Sequence, residues 1–445
     1  MVDWLIHNAL VLTLEPGAAP LAPGYVAVAG SRIAARGRAD GADVLPVARN
    51  RLDAGGRIVL PGLVNTHCHA PMVWFRGLAD DLALEDWLTR FIFPLEGGWL
   101  NAGRIFLGAL LASAELIRGG VTTVADGYFF AGEVRRALAQ AGLRGVVAQG
   151  VVDFPAPGVP DPARNLEAAR EFMDSGQGDG GSLLTSSLFC HSPYTCSAAT
   201  LCAAKDLTRR RGLPFFLHLA ETRGEAAELR RTTGLRPAFY LDRLGLLDDL
   251  TVAVHGVWLE EDEIELLARR QVKLSHCPES NAKLGAGVAP VPRMLARGLT
   301  VGLGTDGAAS NNNLDLWGEM SLAARLHKVV AGDPTLLSAP QALALATREG
   351  ARVLGLGDFV GTLAPGKEAD LIVVELNRPH LTPLYDPYSH LVYAARAADV
   401  CHVMVGGRWL MRRRRLETLE EPAILEEVRG QSRELADFLG RLSRA

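Results

Sequence analysis

The sequence lacks an excess of charge of either sign. Its 46 lysines and arginines nearly balance its 50 aspartates and glutamates, so the formal net charge is −4 over 445 residues. Proteins that bind nucleic acids carry basic patches that neutralise phosphates, whereas no long run of one sign dominates either half of this chain. We therefore expect no nucleic-acid partner.

Long apolar runs and paired cysteines are missing as well. No run approaches the ~20 apolar residues that a membrane span requires. Residues 1–14 carry no basic leader, and polar residues interrupt them, which is typical of a first strand rather than a signal peptide. The six cysteines form no CxxC pair, which favours reduced thiols in a cytoplasmic protein over a disulfide framework. No membrane partner is expected.

The middle of the chain repeats one rhythm, in which a short apolar run ends in a polar residue and a loop then leads to a helical stretch. This alternation is typical of a parallel sheet covered by helices. There are eight such runs, near residues 63–69, 121–126, 145–151, 183–191, 214–218, 251–255, 272–277 and 299–306. Eight is the strand number of a (β/α)₈ TIM barrel, which we predict for residues 61–357.

The two ends of the chain have a different pattern. Residues 1–60 and 358–420 are rich in short alternating strands and glycine turns, and residues 422–442 carry apolar side chains at helical spacing. We predict that 1–60 and 358–445 form one small β-sandwich domain, which an amphipathic helix closes.

Histidines are concentrated where barrel active sites lie, at the carboxyl ends of the strands. Six of the eleven occupy such ends: His67, His69, His191, His218, His255 and His276. Chance alone would hardly favour these few positions so heavily. The pattern predicts a metal site at the mouth of the barrel.

His67 and His69 are two residues apart on a strand, so both rings point to the same side. Such a pair alone is weak evidence, because two strand-end histidines can also simply hydrogen-bond. His218 at the end of the fifth run and Asp306 at the end of the eighth complete a set of ligands. Three imidazoles and one carboxylate suit Zn²⁺ best, with Fe²⁺ or Mn²⁺ as alternatives.

Three further residues near the predicted metal site could carry chemistry. Glu221, three residues past His218, could shuttle protons without binding the ion, or it could merely cap the next helix. His255 would face Asp306 across the mouth, or it could be a core histidine with satisfied hydrogen bonds. His276 is as consistent with support of a ligand as with direct contact.

Six segments together resemble the amidohydrolase superfamily, specifically the aminohydrolase branch that contains 5′-methylthioadenosine/S-adenosylhomocysteine deaminases. The likeness spans nearly the whole chain. It is carried by Pro61–His69 (PGLVNTHCH), Arg76–Leu82 (RGLADDL), Pro94–Glu96 (PLE), His191–Tyr194 (HSPY), His218–Thr222 (HLAET) and Gly304–Asn312 (GTDGAASNN).

The resemblance implies a hydrolytic deaminase of an adenosine-type nucleoside and gives a role to each candidate residue. Its implied metal ligands are His67, His69, His218 and Asp306; its acid and base groups are Glu221, His255 and Asp306; and its substrate contacts are Glu96 to the ribose hydroxyls, His191 to the purine, and Glu221 and Asp306. Relatives commonly form homo-oligomers, so a homo-oligomer is expected.

Lysine is scarce, and this bears on the number of metal ions. Only five of the 46 basic residues are lysines, and none precedes Lys205. Related two-metal hydrolases bridge their ions with a carboxylated lysine near the end of the fourth strand, but residues 183–191 contain no lysine. The resemblance therefore implies one divalent ion per subunit.

One departure from the family pattern concerns the substrate. Members that accept S-adenosylhomocysteine resemble each other in an arginine at the end of the third strand, where this chain has Gln149. Arg164 in the following loop is a candidate to replace it, so both are candidate substrate contacts. The apolar loop 153–158 favours the uncharged 5′ group of methylthioadenosine, with S-adenosylhomocysteine and adenosine as further possible substrates. The alternatives are deamination or dechlorination of another ring (8-oxoguanine, guanine or a triazine) and an inactive binding protein on the same fold.

Overall fold

The computed structural model describes residues 1–39, 45–176 and 183–442. Residues 40–44 and 443–445, which belong to the predicted β domain, and residues 177–182 of the predicted barrel lie outside the described residues. The predicted domain boundaries at 60/61 and 357/358 stay predictions.

Eight parallel strands form the barrel, and the predicted TIM-barrel fold is confirmed. They are β6 (Leu63–Cys68), β7 (Val121–Tyr128), β8 (Arg144–Val151), β9 (Leu184–Cys190), β10 (Phe215–Leu219), β11 (Thr251–His255), β12 (Lys273–His276) and β13 (Thr300–Leu303), in that order around the sheet. Asp306 N donates to His67 O at 3.0 Å, which closes the ring between the eighth strand and the first.

Nine further strands form a second sheet from both ends of the chain. They are β1 (Val2–Val11), β2 (Leu21–Ala29), β3 (Arg32–Arg38), β4 (Ala48–Asp53), β5 (Ile58–Pro61), β14 (Leu371–Val374), β15 (Val400–Val405), β16 (Arg408–Arg412) and β17 (Arg415–Leu416). The antiparallel pair β5–β14 joins the two ends. Three strands separate β1 from β16, yet Trp4 and Trp409 have ring centroids 5.5 Å apart, so the sheet curls to face itself as in a small sandwich.

The described helices lie between and after these strands. They are α1 (Leu84–Trp87), α2 (Phe93–Trp99), α3 (Ala102–Arg118), α4 (Ala131–Ala141), α5 (Asn165–Ser175), α6 (Ala198–Arg209), α7 (Arg223–Thr233), α8 (Pro237–Arg243), α9 (Glu261–Arg269), α10 (Pro278–Lys283), α11 (Val291–Ala296), α12 (Ala308–Asn311), α13 (Leu316–Ala331), α14 (Ala339–Leu345), α15 (Arg348–Val353), α16 (Pro387–Tyr393) and α17 (Glu421–Leu442). A π-helical turn, Leu88–Ile92, joins α1 to α2. We call Leu84–Trp99 the cover segment.

In the part of the chain that the structure describes, no single helix is long and apolar enough to cross a membrane. The cover segment and α3 meet that criterion only when they are taken together, and they are bent by 115° relative to each other.

Candidate active site

Four predicted ligands converge at the carboxyl ends of the barrel strands. One ligand atom from each of His67, His69, His218 and Asp306 lies within 4.8 Å of all the others. Asp306 Oδ1 is 3.3 Å from His67 Nε2 and 3.4 Å from His69 Nε2, and the Nε2 atoms of His67 and His218 face each other at 3.3 Å. Cys68, between the two strand-end histidines, packs into the hydrophobic core.

The protonation states of this cluster fit a divalent cation. Burial lowers the pKa of His67 to about 4 and that of His218 well below its usual value, so both rings are neutral at pH 7. Burial raises the pKa of Asp306, but the hydrogen bond with His67 and the electrostatic effect of the neighbouring histidines outweigh burial and hold this pKa well below its usual range. Neutral imidazoles and an ionised carboxylate are the forms that bind metal, and a shared cation accounts for the convergence of three Nε2 atoms.

Hydrogen bonds from outside the cluster orient its members. His69 Nδ1 donates to Gly127 O at 2.5 Å, which leaves the Nε2 lone pair free for a metal. The hydroxyls of Ser280 and Ser310 both donate to Asp306 Oδ2 at 2.7 Å, so Oδ1 is the oxygen that faces the histidines. Two of the four predicted ligands, His69 and Asp306, therefore have the supporting contacts typical of metal sites, whereas His218 Nδ1 has no hydrogen-bond partner among the described residues.

Glu221 and His255 lie side by side at the edge of the cluster. Glu221 Oε2 is 3.8 Å from His255 Nε2, and His255 Nδ1 donates to Asn281 Oδ1 at 3.2 Å. Burial raises the pKa of Glu221 to about 7, where a carboxyl group can both give and take a proton. Glu221 is not the cap of α7, because Thr222 occupies that position and accepts from Glu225 N at 3.1 Å.

A cavity opens onto the cluster and is also lined by Glu221, His255, His191 and Glu96. Tyr128 Oη donates to Glu96 Oε1 at 2.6 Å, and burial raises the pKa of Glu96 to about 7. His191 Nδ1 is 3.1 Å from Thr195 Oγ1. Apolar side chains also line the cavity, among them Leu84, Trp87, Leu88, Ile92 and Phe93 of the cover segment together with Phe154.

The structure does not bring two of the predicted substrate contacts into this cavity. Gln149 Oε1 accepts from Ala131 N at 3.1 Å at the start of α4, and Gln149 shares the outward face of β8 with Val147 and Val151, which pack in the core beneath the helices. Arg164 is exposed and pairs with Glu167 at 3.1 Å. Neither side chain lines the cavity.

His276 also lies away from the cavity. Its ring is buried 5.4 Å from the ring of His327, and neither ring nitrogen has a hydrogen-bond partner among the described residues. His276 is therefore not placed to contact a substrate in the cavity.

Several residues that shape the site were not among those predicted from the sequence. Ser310 and Tyr128 carried usable signals, since Ser310 lies within the GTDGAASNN segment and Tyr128 follows the second strand run. Ser280 and Asn281 carried none, because they reach the site only through the fold of α10 after the seventh strand.

Comparisons with known proteins agree with this geometry. The model of the Amidohydrolase family matches residues 58–410. A 5-methylthioadenosine/S-adenosylhomocysteine deaminase of Syntrophobacter fumaroxidans is 45% identical over 427 residues, which cover 96% of this chain and 97% of the relative. A 5′-deoxyadenosine deaminase of Methanothermobacter thermautotrophicus is 44% identical, covering 86% and 89% of the two chains. The crystal structure of an adenosine deaminase from Xanthomonas campestris with bound zinc superposes with a TM-score of 0.94 at 37% identity and covers 100% of this chain and 99% of that one.

Proposed function

The chain belongs to the amidohydrolase family, and we propose that within it this enzyme hydrolytically deaminates adenosine-type nucleosides with a small uncharged 5′ group, 5′-methylthioadenosine above all. Water replaces the amino group at C6, giving the inosine analogue and ammonia. The observation that carries the proposal is one cavity that joins the metal cluster and the Glu221–His255 pair to Glu96 and an apolar wall.

The composition of the cavity wall supports the choice of 5′ group. None of the described residues that line the cavity is a lysine or an arginine. The amino-acid carboxylate of S-adenosylhomocysteine would lose its hydration there without gaining a cationic partner, whereas a methylthio or methyl group would bury apolar surface. The 5-methylthioadenosine/S-adenosylhomocysteine and 5′-deoxyadenosine deaminases among its relatives agree with a nucleoside substrate.

The donor set and the zinc in the Xanthomonas enzyme support a single Zn²⁺ as the ion. When bound, such an ion supplies the Lewis acidity that makes a water nucleophilic near neutral pH. His67, His69, His218 and Asp306 would hold it. A homo-oligomeric state and a cytoplasmic location stay predictions.

The protein side chains divide the remaining work. Asp306 and His255 orient the attacking water and accept its proton. Glu221, with a pKa of about 7, protonates N1 of the ring; the resulting carboxylate then takes the proton of the hydroxyl group newly added at C6 and delivers it to the amino group, which leaves as ammonia. Glu96 accepts hydrogen bonds from the two ribose hydroxyls, and His191 donates one to a ring nitrogen.

Ammonia release by the metal-replete enzyme tests the proposal. We expect kcat/KM for 5′-methylthioadenosine and 5′-deoxyadenosine to exceed that for S-adenosylhomocysteine by about 10- to 100-fold, the cost of an unpaired buried charge. Preference for S-adenosylhomocysteine would overturn the choice of 5′ group. Release of ammonia from only guanine, 8-oxoguanine or an aminotriazine, or of chloride from a chlorotriazine, would assign another ring. Inactivity on all of them, with less than half an equivalent of metal bound, would identify a binding protein.

A further inference from the structure

Glu225, in the first turn of α7, makes a contact that the reaction scheme does not use. Its Oε1 accepts a hydrogen bond from Ala220 N at 3.0 Å, and its Oε2 accepts one from Glu221 N at 2.8 Å. One carboxylate thus holds two successive backbone amides. The second of these amides belongs to the residue whose carboxyl lies 3.8 Å from His255.

The backbone between β10 and α7 has a conformation that needs such support. Ala220 has φ of 51°, in the left-handed region that residues with a side chain rarely adopt. Its carbonyl accepts from Trp258 N at 2.9 Å, so both of its polar backbone groups are fixed from outside the turn. This sharp turn carries the chain from His218, which faces the cluster, to Glu221, which lines the same cavity.

An ordinary helix-capping role does not account for this arrangement. Thr222 already caps α7 by accepting from Glu225 N. In a capping box, the glutamate at this position bonds the amide of the cap residue itself. The carboxylate of Glu225 also bonds the amides of the two residues that precede the cap, so its contacts extend from the helix end into the loop.

We propose that Glu225 is a positioning residue that fixes the Ala220–Glu221 peptide and thereby aims the carboxyl of Glu221 at His255 and the reacting ring. This inference rests on the proposed role of Glu221 as the proton carrier. It assigns Glu225 no contact with the substrate, and Glu225 does not line the cavity.

The Glu225→Gln variant tests the proposal because an amide keeps the size of the side chain but offers one acceptor oxygen. One of the two backbone amides then faces an N–H group instead of an acceptor. We expect kcat to fall about 10- to 100-fold, as misplacement of a proton carrier by about 1 Å would cause. KM should stay within about threefold and the metal content should not change, because no ligand and no substrate contact is touched.

Glu228→Gln is the matched control. Glu228 lies on the same helix, is exposed and pairs with Arg231 at 2.6 Å, so its loss should leave kcat unchanged. Glu225→Asp keeps the carboxylate on a shorter stem and should recover part of the lost kcat. A merely structural role would lower the unfolding temperature and the fraction of metal-bound enzyme, but not kcat per bound metal.

The outcomes separate this inference from the proposed function. If kcat per bound metal of both Glu225 variants equals that of the Glu228→Gln control, the positioning role is overturned while deamination stands. If the wild-type enzyme releases no ammonia, the proposed function fails, and a crystal structure of the Glu225→Gln variant decides the inference by itself. A Glu221 carboxyl displaced from His255 supports the inference, and an unmoved one overturns it.

Discussion

The backbone amide of Asp306 donates to the carbonyl of His67 at 3.0 Å, so the eighth and first barrel strands are joined at two residues of the metal cluster. Their side chains also meet, with Asp306 Oδ1 3.3 Å from His67 Nε2. Closure of the barrel and assembly of the cluster therefore depend on the same contact. Changes that loosen this contact should affect the stability of the fold and the binding of metal together.

Removal of the two serines that hold Asp306 should weaken metal binding. Ser280 and Ser310 each donate to Oδ2 at 2.7 Å. Loss of such outer contacts typically lowers metal affinity about 10- to 100-fold, so we expect this range for the Ser280→Ala/Ser310→Ala double variant in competition with a chelator. Ser432→Ala on α17, whose hydroxyl only donates to Arg429 O, is the control. Unchanged affinity in the double variant would contradict the role of the serines.

The binding of ribose should depend on pH through Glu96. Its pKa is about 7 because of burial, so the carboxylate that accepts from the diol is present above pH 7 and is lost as the pH falls below 7. KM for a ribonucleoside should then rise about tenfold per pH unit below 7, while KM for the 2′,3′-dideoxy analogue stays flat.

The hydroxyl of Tyr128 allows a second test of the predicted pH dependence. Its hydrogen bond to Glu96 lowers the pKa of that carboxyl against the effect of burial. The Tyr128→Phe variant should therefore move the inflection of KM to a higher pH. Initial-rate measurements between pH 5.5 and pH 9 (roughly the range that brackets the pKa) check this, and a shift to lower pH would show that another group controls KM.

Lys283 should hold the beginning of the cover segment. Its Nζ donates to Asp80 Oδ1 at 2.7 Å, to Asn312 Oδ1 at 2.6 Å and to Ala309 O at 3.1 Å. It thus ties the chain just before Leu84 to the loop after the eighth strand. In Lys283→Met we expect a loss of about 1–3 kcal/mol in the free energy of unfolding.

Lys283→Met should raise KM about 3- to 10-fold, because about 1 kcal/mol of the substrate's binding free energy must then be spent on ordering the cover segment. The value of kcat should be nearly unchanged. Lys328→Met is the control, because Lys328 donates to Tyr393 Oη at 2.5 Å and lines no part of the cavity. Equal KM values in the two variants would show that the cover segment does not depend on Lys283.

The alternation of strand residues explains which site residues could be predicted from the sequence. His218 shares the interior face of β10 with Phe216, which packs inside the barrel. The position of His218 could therefore be predicted from the apolar run 214–218. The same rule, applied to β8, would have placed Gln149 on the outward face, since Val146 and Ala148 fill the interior. Gln149 lies near the carboxyl end of β8, where functional residues are expected, but the alternation of side chains along the strand points it away from the barrel interior.

Other features depend on contacts that no local pattern contains. Strand parity would turn His255 away from the cavity, because Val252 and Val254 face the interior, but its φ of 74° turns it back. Likewise, Ser280 reaches Asp306 only because α10 folds over the mouth. The positive φ at His255 and the path of α10 are set by packing between distant segments, which spacing along one strand cannot reveal.

Gly304 should be indispensable where the barrel closes. A Cβ at this position would lie 2.7 Å from Ser275 Oγ and 2.8 Å from His67 Cβ, closer than packed atoms tolerate, and Gly304 N donates to His276 O at 2.9 Å. The end of β13 therefore cannot move aside without shifting a metal ligand. Gly304→Ala should lower the free energy of unfolding by about 1–3 kcal/mol through overpacking and weaken metal binding at the same time.

Gly430→Ala is the same substitution at a position where we expect it to stabilise the protein rather than destabilise it. Gly430 lies on the exposed side of α17, and a Cβ there would meet no atom within 4 Å, so the variant should gain roughly 0.5–1 kcal/mol from the reduced backbone entropy of the unfolded chain. Denaturant unfolding and chelator competition on both variants give the comparison. If Gly304→Ala lost stability but kept its metal affinity, closure of the barrel and assembly of the cluster would be separable, contrary to the contact between Asp306 and His67.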